Sequence, residues 1–294
     1  MVHIPLSFAL VGNVFQTEKS AYVQEVISQL LAHQATVRIE REYYDFLKKQ
    51  MDMTLDDCEA FDAEDISADF VVSLGGDGTF LKTAAMVGKR QIPILGVNMG
   101  RLGFLAAISP KMIRESVDAI YANDYITEEH TVIGVSAFGH ELQGMPYALN
   151  DIAVLKRDNA SMISIRTCID REYLTTYQAD GLIVSTPTGS TAYSLSNGGP
   201  IIAPSSGILC LTPVAPHSLN VRPIVISDHS EVTLTVESRS HHFLIAVDGR
   251  SEKCEEGIRL TIRKAPYVVR IVKPRSTRYF STLREKLSWG VDSR

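Results

Sequence analysis

The chain lacks the signatures of several common protein classes. Its 294 residues contain no G-x-x-x-x-G-K-[ST] segment and no G-x-G-x-x-G after a strand, which excludes an ordinary Walker nucleotide site and the dinucleotide-binding fingerprint. No apolar run approaches the roughly 20 residues of a membrane span. A net charge of −5 and a pI of about 5.9 argue against a generic nucleic-acid or anionic-membrane surface. Any recognition of phosphate must therefore be local.

Cysteine is scarce and scattered. Cys58, Cys168, Cys210 and Cys254 form no C-x-x-C pair and no Cys/His cluster with metal-ligand spacing. We expect four reduced, mostly buried thiols, which indicates a reducing cytoplasm. The first residues have no basic stretch and no small-residue cleavage site, so we expect a first strand there and no signal peptide.

The composition is that of a soluble globular protein, with 45% hydrophobic and 21% charged residues. A length of 294 residues suits two domains. Strand-like and helix-like segments alternate in the first part, which predicts a parallel α/β domain over residues 1–125. Short alternating runs then predict an all-β, sandwich-like domain over residues 126–273. A final helix at Ser281–Trp289 is expected to return residues 274–294 to the first domain.

Individual elements follow from hydrophobic periodicity. The predicted strands of the first domain are Leu6–Val11, Val37–Ile39, Val71–Leu74 and Ile92–Asn98, and its predicted helices are Ser20–His33, Tyr43–Lys49, Phe80–Met86 and Ile108–Tyr121. The acidic stretch Asp52–Asp69 is expected to be a solvated loop with some helix. The predicted strands of the second domain are Val132–Phe138, Ala148–Lys156, Ser161–Ile169, Leu182–Ser185, Glu231–Glu237, Phe243–Val247, Ile258–Arg263 and Val268–Val272.

The most informative stretch is a strand, a glycine turn and a helix start around Gly75-Gly76-Asp77-Gly78-Thr79. Glycines let backbone N–H groups come close to a ligand, and a helix N-terminus favours a phosphate. Asp77 would repel that phosphate unless a metal ion lies between them, or unless it accepts a proton from an attacking hydroxyl, as in a kinase. The alternative is an ordinary glycine-rich left-handed turn in which Asp77 caps the helix.

Two further passages have an unusual composition. The next predicted strand ends in a second glycine-rich turn, Asn98–Leu105, and parallel strands place their carboxyl ends at one edge. We therefore expect both glycine turns to open onto the same crevice. In the β half, Ala179–Pro200 combines many small hydroxyls and glycines with one tyrosine. That composition suits the lining of a polar, flat ligand, and it equally suits a plain loop.

Together these passages resemble the ATP-dependent NAD kinases of bacteria, which phosphorylate the adenosine-ribose 2′-hydroxyl of NAD to give NADP. The motifs that carry the resemblance are Gly75–Thr79, Asn98–Phe104, Asn150-Asp151, Asp180-Gly181, Thr186–Tyr193 and Pro216–Pro223. The glycine–aspartate turn is shared with lipid kinases and 6-phosphofructokinases, whereas the Thr186–Tyr193 run is typical of NAD kinases. A lipid or sugar kinase, or a catalytically silent dinucleotide sensor, is the alternative.

The resemblance implies a role for each matching residue. Asp77 would be the general base that faces the 2′-hydroxyl, and Gly78 would lie against the NAD diphosphate. Phe104 would line the adenine side of the site. Asn150 and Asp151 would bind ribose hydroxyls. Further implied contacts with NAD are Lys82, Ser161, Asp180, Thr188, Thr191, Ala192, Tyr193, Ser194, Leu195, Ser196, Ala215 and Arg250, and the implied phosphate contacts with ATP are Gly75, Gly76, Gly78 and Thr79.

Further details complete the expectation. Asp180 would accept hydrogen bonds from an amino group of the dinucleotide, with a neighbouring subunit contributing to the site. Many relatives carry Glu where this chain has Asp151, and several carry Lys or Arg where it has Gln178. His217 is expected to be a hydrogen-bonded structural residue, and the alternative is a site residue. Mg²⁺ would arrive with ATP rather than occupy a fixed protein site. The resemblance implies a homotetramer, with a homodimer as the alternative. The acidic net charge argues against nucleic-acid and membrane partners.

Overall fold

A computed structural model describes residues 5–14, 20–100, 103–157, 162–275 and 278–289. The chain divides into two compact units, the first made of residues 1–129 and 269–294 and the second of residues 130–268. None of the described helices is long and apolar enough to cross a membrane.

The strands and helices are numbered along the chain. The strands are β1 Ser7–Gly12, β2 Thr36–Glu40, β3 Cys58–Phe61, β4 Phe70–Gly75, β5 Ile94–Asn98, β6 Tyr125–Ala137, β7 Tyr147–Ala148, β8 Asp151–Lys156, β9 Ile163–Ile169, β10 Glu172–Ala179, β11 Gly181–Ser185, β12 Ile208–Val214, β13 Ile224–Ser227, β14 Val232–Glu237, β15 His242–Val247, β16 Arg250–Glu255 and β17 Arg259–Pro274. The helices are α1 Ser20–Ala32, α2 Arg41–Gln50, α3 Asp77–Val87, α4 Ile113–Tyr121, α5 Tyr193–Ser196 and α6 Tyr279–Leu287.

The first unit is a parallel α/β sheet. Its strands lie in the order β3-β2-β1-β4-β5, and the end of β17 joins β5, again in parallel. The central strand β4 is buried along its whole length because helices cover a parallel sheet on both faces. One apolar core gathers the inner faces of strands and of α1, α2 and α4. This geometry places the carboxyl ends of β4 and β5 side by side, each followed by a glycine-rich turn.

The second unit is an antiparallel sandwich. One sheet has the order β13-β12-β11-β8-β15-β16, and the other pairs β10, β9, β14 and the first part of β17. Apolar residues from both sheets meet in one core, including Ile165 of β9, Val184 of β11 and Phe243 of β15. Alternation along the strands supplies this shared face. The predicted fold class is therefore confirmed, including the final helix.

Several predicted elements were wrong in detail. The acidic stretch does contain a short 3₁₀ turn at Ala63–Asp65, but it also contains β3, whose end residues Cys58 and Phe61 are buried beside β2. Four further strands were not predicted: β10, β12, β13 and β16. The predicted strands Ile258–Arg263 and Val268–Val272 fall in one strand, β17, which begins at Arg259 and continues through residues 264–267 with buried and exposed positions alternating.

All four cysteines are free thiols, as predicted, and three of them are buried. Burial raises the pKa of the Cys58 thiol and of the Cys254 thiol to about 11. Neither thiol is activated for nucleophilic chemistry, because the thiolate is the reactive form.

Candidate active site

The first glycine turn joins β4 directly to α3. Gly76 is the N-cap and Asp77 is the first helical residue. A Cβ atom on Gly75 would lie 2.2 Å from Thr79 Oγ1, so packing requires glycine there. A Cβ atom on Gly76 or Gly78 would meet no atom within 4 Å. The backbone at Gly76 and Gly78 is thus uncrowded on its Cβ side, and N–H groups at a helix N-terminus bind anions.

The interpretation of Asp77 as the cap of a left-handed turn is wrong. Gly75, Gly76 and Gly78 do not have positive φ, and the cap residue is Gly76. The Asp77 side chain is directed instead to the second glycine turn. Its Oδ1 accepts hydrogen bonds from the backbone N–H groups of Leu105 (3.1 Å) and Ala106 (3.0 Å).

Within the described part of the chain, the other Asp77 oxygen, Oδ2, accepts fewer hydrogen bonds than Oδ1. Oδ2 accepts one hydrogen bond, from the Phe104 N–H at 3.0 Å. Because a carboxylate oxygen has two lone pairs, Oδ2 keeps the capacity to accept a further donor such as a hydroxyl. Gly103 makes this arrangement possible, since a Cβ atom there would lie 1.9 Å from Asp77 Oδ1. The two glycine turns of the first unit are therefore joined through one carboxylate.

Two other predicted residues of the first unit have charged neighbours that the sequence did not reveal. The exposed Lys82 places its Nζ 2.9 Å from Glu42 Oε2 and 3.7 Å from the buried Glu40. The half-buried Phe104 ring has the Lys286 ammonium of α6 at 5.4 Å from its centroid, within the range of a cation–π contact. Both contacts join residues far apart in the sequence, so no local signal could have found them.

In the second unit, the backbone of Leu149–Asn150 anchors the hydroxyl-rich passage. Thr186 donates its N–H to Asn150 O at 2.9 Å and its Oγ1–H to Leu149 O at 2.6 Å. A Cβ atom on Gly189 would lie 2.0 Å from Asn150 O, so only glycine fits there. The structure thus brings the predicted residues Asn150 and Asp151 next to the Thr186–Thr191 turn.

The Asp151 carboxyl is buried, with 6% of the residue exposed. It forms no hydrogen bond with the rest of the described chain, although buried polar groups are usually paired. Burial, and secondarily the negative charge of Asp248, raises the pKa of Asp151 to about 7. A buried acid without a partner in the protein and with a perturbed pKa is typical of a functional site.

Asp248 was missed by the sequence analysis. Its carboxylate accepts backbone hydrogen bonds from Leu149, Asn150 and Asp151, while burial raises its own pKa. The predicted residue Arg250 follows two positions later and donates to the backbone carbonyls of Val247 and Tyr147. The one signal available was the Asp-Gly pair after a predicted strand, which is typical of a hairpin turn.

The hydroxyl-rich passage forms a 3₁₀ turn, Thr188–Thr191, followed by α5. Thr188 Oγ1 lies 2.8 Å from His130 Nδ1. Tyr193 is 39% exposed, and the predicted contacts Thr191, Ala192, Leu195 and Ser196 are half-buried or exposed. Ser194 differs, because its side chain is fully buried and its Oγ lies 2.8 Å from Thr212 Oγ1. The Ser194 hydroxyl therefore has a structural contact within the protein.

Asp180 and Ala215 lie away from this cluster. Asp180 precedes β11 and Thr186 follows it, so at about 3.3 Å per residue the two are roughly 20 Å apart. Asp180 Oδ1 is 2.8 Å from Lys156 Nζ, and both line an open cavity of about 910 Å³ together with Gln178. Ala215 is adjacent, since Asp180 N–H donates to Val214 O. The structure does not bring Asp180 together with Asn150 and Asp151 in one copy of the chain.

Three remaining expectations concern single residues and metals. Ser161 lies outside the described residues. His217 is exposed, and its ring forms no hydrogen bond with another described residue, so the expectation of a hydrogen-bonded structural histidine is wrong for the side chain. Within the described ranges, no group of three or more His, Cys, Asp or Glu residues is placed to hold a metal ion.

Solved structures share the fold. Yeast NADH kinase complexed with NADH superposes with a TM-score of 0.89, covering 99% of this chain and 89% of that one; at 23% identity it supports the fold alone. An NAD kinase from Archaeoglobus fulgidus in complex with ATP has a TM-score of 0.74 at 27% identity and covers 96% of this chain and 99% of that one.

Sequence comparisons give the family. The ATP-NAD kinase N-terminal domain matches residues 8–125 and the C-terminal domain matches residues 149–274. The NAD kinase of Bacteroides fragilis is 54% identical over 98% of this chain and 100% of its own length. The NAD kinase of Porphyromonas gingivalis is 40% identical over 96% of this chain and 98% of its own length. As the motifs predicted, the chain belongs to the ATP–NAD kinase family.

Proposed function

We propose that this enzyme transfers the γ-phosphate of ATP to the 2′-hydroxyl of the adenosine ribose of NAD, with Asp77 as general base. The new bond joins the ribose oxygen to the γ-phosphorus, the bond from that phosphorus to the β,γ-bridging oxygen breaks, and ADP leaves. The hydroxyl proton goes to Asp77. The observation that supports the proposal is the geometry of Asp77. Its Oδ2 atom accepts only one hydrogen bond from the described residues, so it can accept another, and Asp77 is the first residue of a helix.

Asp77 suits this role because its position is fixed by three backbone hydrogen bonds. Phosphoryl transfer has a loose transition state, so most of the rate comes from positioning and charge stabilisation. A held carboxylate orients the hydroxyl for in-line attack and takes its proton as the bond to phosphorus forms. General-base assistance of this kind contributes about 10²- to 10⁴-fold.

We assign phosphate binding to the backbone N–H groups of Gly76, Gly78 and Thr79 at the start of α3. Helix N-termini carry partial positive charge and accept phosphate without a lysine. ATP enters as its magnesium complex, and the magnesium ion neutralises part of the triphosphate charge. Lys82, in α3, adds a positive charge near the same turn. Its ammonium pairs with the carboxylates of Glu42 and Glu40, and in this proposal a bound phosphate takes their place as its partner.

The second unit supplies the contacts with NAD. Asn150 and the unpartnered carboxyl of Asp151 bind ribose hydroxyls, and Thr188, Thr191, Ala192, Tyr193, Leu195 and Ser196 line the adenine pocket, with Arg250 beside them. The support is the cluster that the backbone of Asn150 builds with the Thr186–Thr191 turn. Accordingly we interpret residues 1–125 with 274–294 as the domain that binds the phosphates of ATP and carries the general base, and residues 126–273 as the domain that binds NAD.

Asp180 acts on NAD held by a second copy of the chain, together with Ala215. Its distance of roughly 20 Å from Thr186 along β11 favours this assignment over a contact within one copy. The enzyme is therefore a homodimer or a homotetramer in this proposal. Its free thiols suit the reducing cytoplasm.

One assay tests the proposed reaction. The purified chain is incubated with Mg-ATP and NAD, and NADP is measured through an NADP-specific dehydrogenase. NADH, inorganic polyphosphate, fructose 6-phosphate and a diacylglycerol serve as alternative substrates in the same series. Formation of NADP from NAD supports the proposal. A phosphorylated sugar or lipid without NADP would refute it, and NAD binding without turnover would indicate a dinucleotide sensor.

A further inference from the structure

The hairpin between β15 and β16 has a two-residue turn, Asp248-Gly249. Val247 pairs with Arg250, and both turn residues have positive φ, 46° and 78°. Such a turn favours Asn-Gly at least as well as Asp-Gly. The turn geometry alone therefore does not explain a carboxylate at position 248.

The carboxylate has a second set of contacts outside its hairpin. Asp248 Oδ2 accepts the Leu149 N–H at 2.9 Å, and Oδ1 accepts the N–H groups of Asn150 at 2.8 Å and Asp151 at 3.2 Å. The Asp248 N–H donates in return to Asp151 O at 3.0 Å. Three successive backbone N–H groups thus converge on one charged side chain, and hydrogen bonds to an ionised group are stronger than neutral ones.

The same segment is held on its other side by the hydroxyl-rich passage. Thr186 donates to the carbonyl oxygens of Leu149 and Asn150, while Asp248 accepts from the N–H groups. The backbone of Leu149–Asp151 is therefore fixed from both sides. Its side chains are left for other partners: among the described residues neither the Asn150 amide nor the Asp151 carboxyl has a hydrogen bond, and Asp151 is 6% exposed.

We propose that Asp248 is a positioning residue for NAD, which holds Asn150 and Asp151 in the orientation that binds the ribose. This inference rests on the proposed function. Its chemical basis is that a carboxylate can accept from all three N–H groups, whereas an amide side chain presents an NH₂ group to at least one of them. Loss of the carboxylate should therefore loosen the segment while the hairpin turn survives.

The test uses Asp248→Asn in the full chain, because Asn-Gly preserves the turn. Asp170→Asn is the matched control: Asp170 also accepts a backbone hydrogen bond, from Glu231, and lies in the β9–β10 hairpin. We measure kcat, the KM for NAD, the KM for ATP, the melting temperature and hydrogen exchange at the amides of Leu149, Asn150 and Asp151.

For Asp248→Asn we expect the KM for NAD to rise about tenfold or more, since a hydrogen bond to a charged group is worth about 1.5–3 kcal/mol. The KM for ATP should stay within about twofold, and the three amides should exchange faster. Asp170→Asn should change neither. An unchanged KM for NAD in folded Asp248→Asn overturns the inference, and so does a parallel rise in both KM values.

A second variant covers the case in which Asp248→Asn does not fold. Thr186→Val removes the hydroxyl that donates to Leu149 O, so it loosens the same segment from the carbonyl side. We expect a higher KM for NAD with the KM for ATP unchanged, and a wild-type KM for NAD would overturn the inference. A wild-type enzyme that forms no NADP refutes the proposed function instead, so the two failures are distinguishable.

Discussion

Gly103 lies so close to Asp77 that a Cβ atom at position 103 would be 1.9 Å from Asp77 Oδ1. Gly103→Ala therefore displaces the carboxylate and weakens its hydrogen bonds to Leu105 and Ala106. Because a misplacement of about 1 Å at a reacting group can cost about 10²-fold, we expect kcat to fall by roughly that factor. Steady-state kinetics measure the loss.

The control for this variant is Gly144→Ala, since a Cβ atom at Gly144 would meet no atom within 4 Å. Gly144→Ala should keep the wild-type kcat. If Gly103→Ala also keeps the wild-type kcat, the position of the Asp77 carboxylate beside Gly103 is not required for turnover.

Two glycines of the first turn should respond in opposite ways to alanine. Gly75→Ala meets Thr79 and should lower the free energy of unfolding by about 1–3 kcal/mol, the usual cost of overpacking. Gly78→Ala lies in α3 with open space around it, and helix propensity predicts unchanged or slightly higher stability. Its KM for ATP or NAD should nevertheless rise, because the methyl group covers N–H groups assigned to phosphate. Urea denaturation and kinetics on the same preparations separate the two effects, and a Gly78→Ala enzyme with wild-type KM values would argue against a phosphate site there.

The raised pKa of Asp151 makes stability depend on pH. The folded state binds this proton more tightly than the unfolded state, because the pKa is about 7 in the fold against a usual value of 3.8. The free energy of unfolding should therefore fall as pH rises from about 4 to about 7, by up to about 4 kcal/mol from this group. Asp248, whose pKa is also raised by burial, acts in the same direction.

Asp151→Asn provides the measurement for this pH dependence. Urea denaturation at about pH 5 and about pH 8 should show a smaller difference for the variant than for wild type, with the variant more stable than wild type at the higher pH. Asp170→Asn should keep the wild-type difference, since backbone hydrogen bonding lowers the pKa of Asp170. A wild-type pH dependence in Asp151→Asn would show that this carboxyl is not the group responsible.

The separation of Asp180 from Thr186 along β11 predicts complementation between subunits. Asp77→Asn and Asp180→Asn should each be nearly inactive as pure proteins. If Asp180 serves the partner's NAD, a dimer mixed from both variants contains one site with both residues intact, and about a quarter of all sites in an equal mixture are restored. Activity is measured after joint refolding of the two variants. A mixture no more active than its components would place Asp180 in its own copy's site, or outside any site.

The sequence predicted those features that rest on local pattern. Strands β1, β4 and β5 are apolar runs because both faces of a parallel sheet are covered, and the glycine turn after β4 stands out by composition. Strand β16 could not be found this way, because its residues are mostly polar and it exists through pairing with β15. Strand β3 was hidden because it has only four residues within an acidic stretch and pairs with β2.

In the candidate site, the residues with motif signals were predicted, whereas the long-range contacts that position them were not. Asp77, Asn150 and Asp151 were predicted from motifs, but the three hydrogen bonds of Asp77 depend on a turn that is 27 to 29 positions away. Asp248 contacts Leu149 across 99 positions, and only the pairing of β8 with β15 brings the two segments together. Such contacts have no periodicity for a single sequence to display.

The most direct test of the central claim is the turnover of Asp77→Asn with Mg-ATP and NAD, measured alongside NAD binding by calorimetry. The substitution keeps the size of the side chain and removes its capacity to take the hydroxyl proton. The account predicts that kcat falls by at least about 10²-fold while NAD still binds. A variant that binds NAD and forms NADP at a near-normal rate would contradict it.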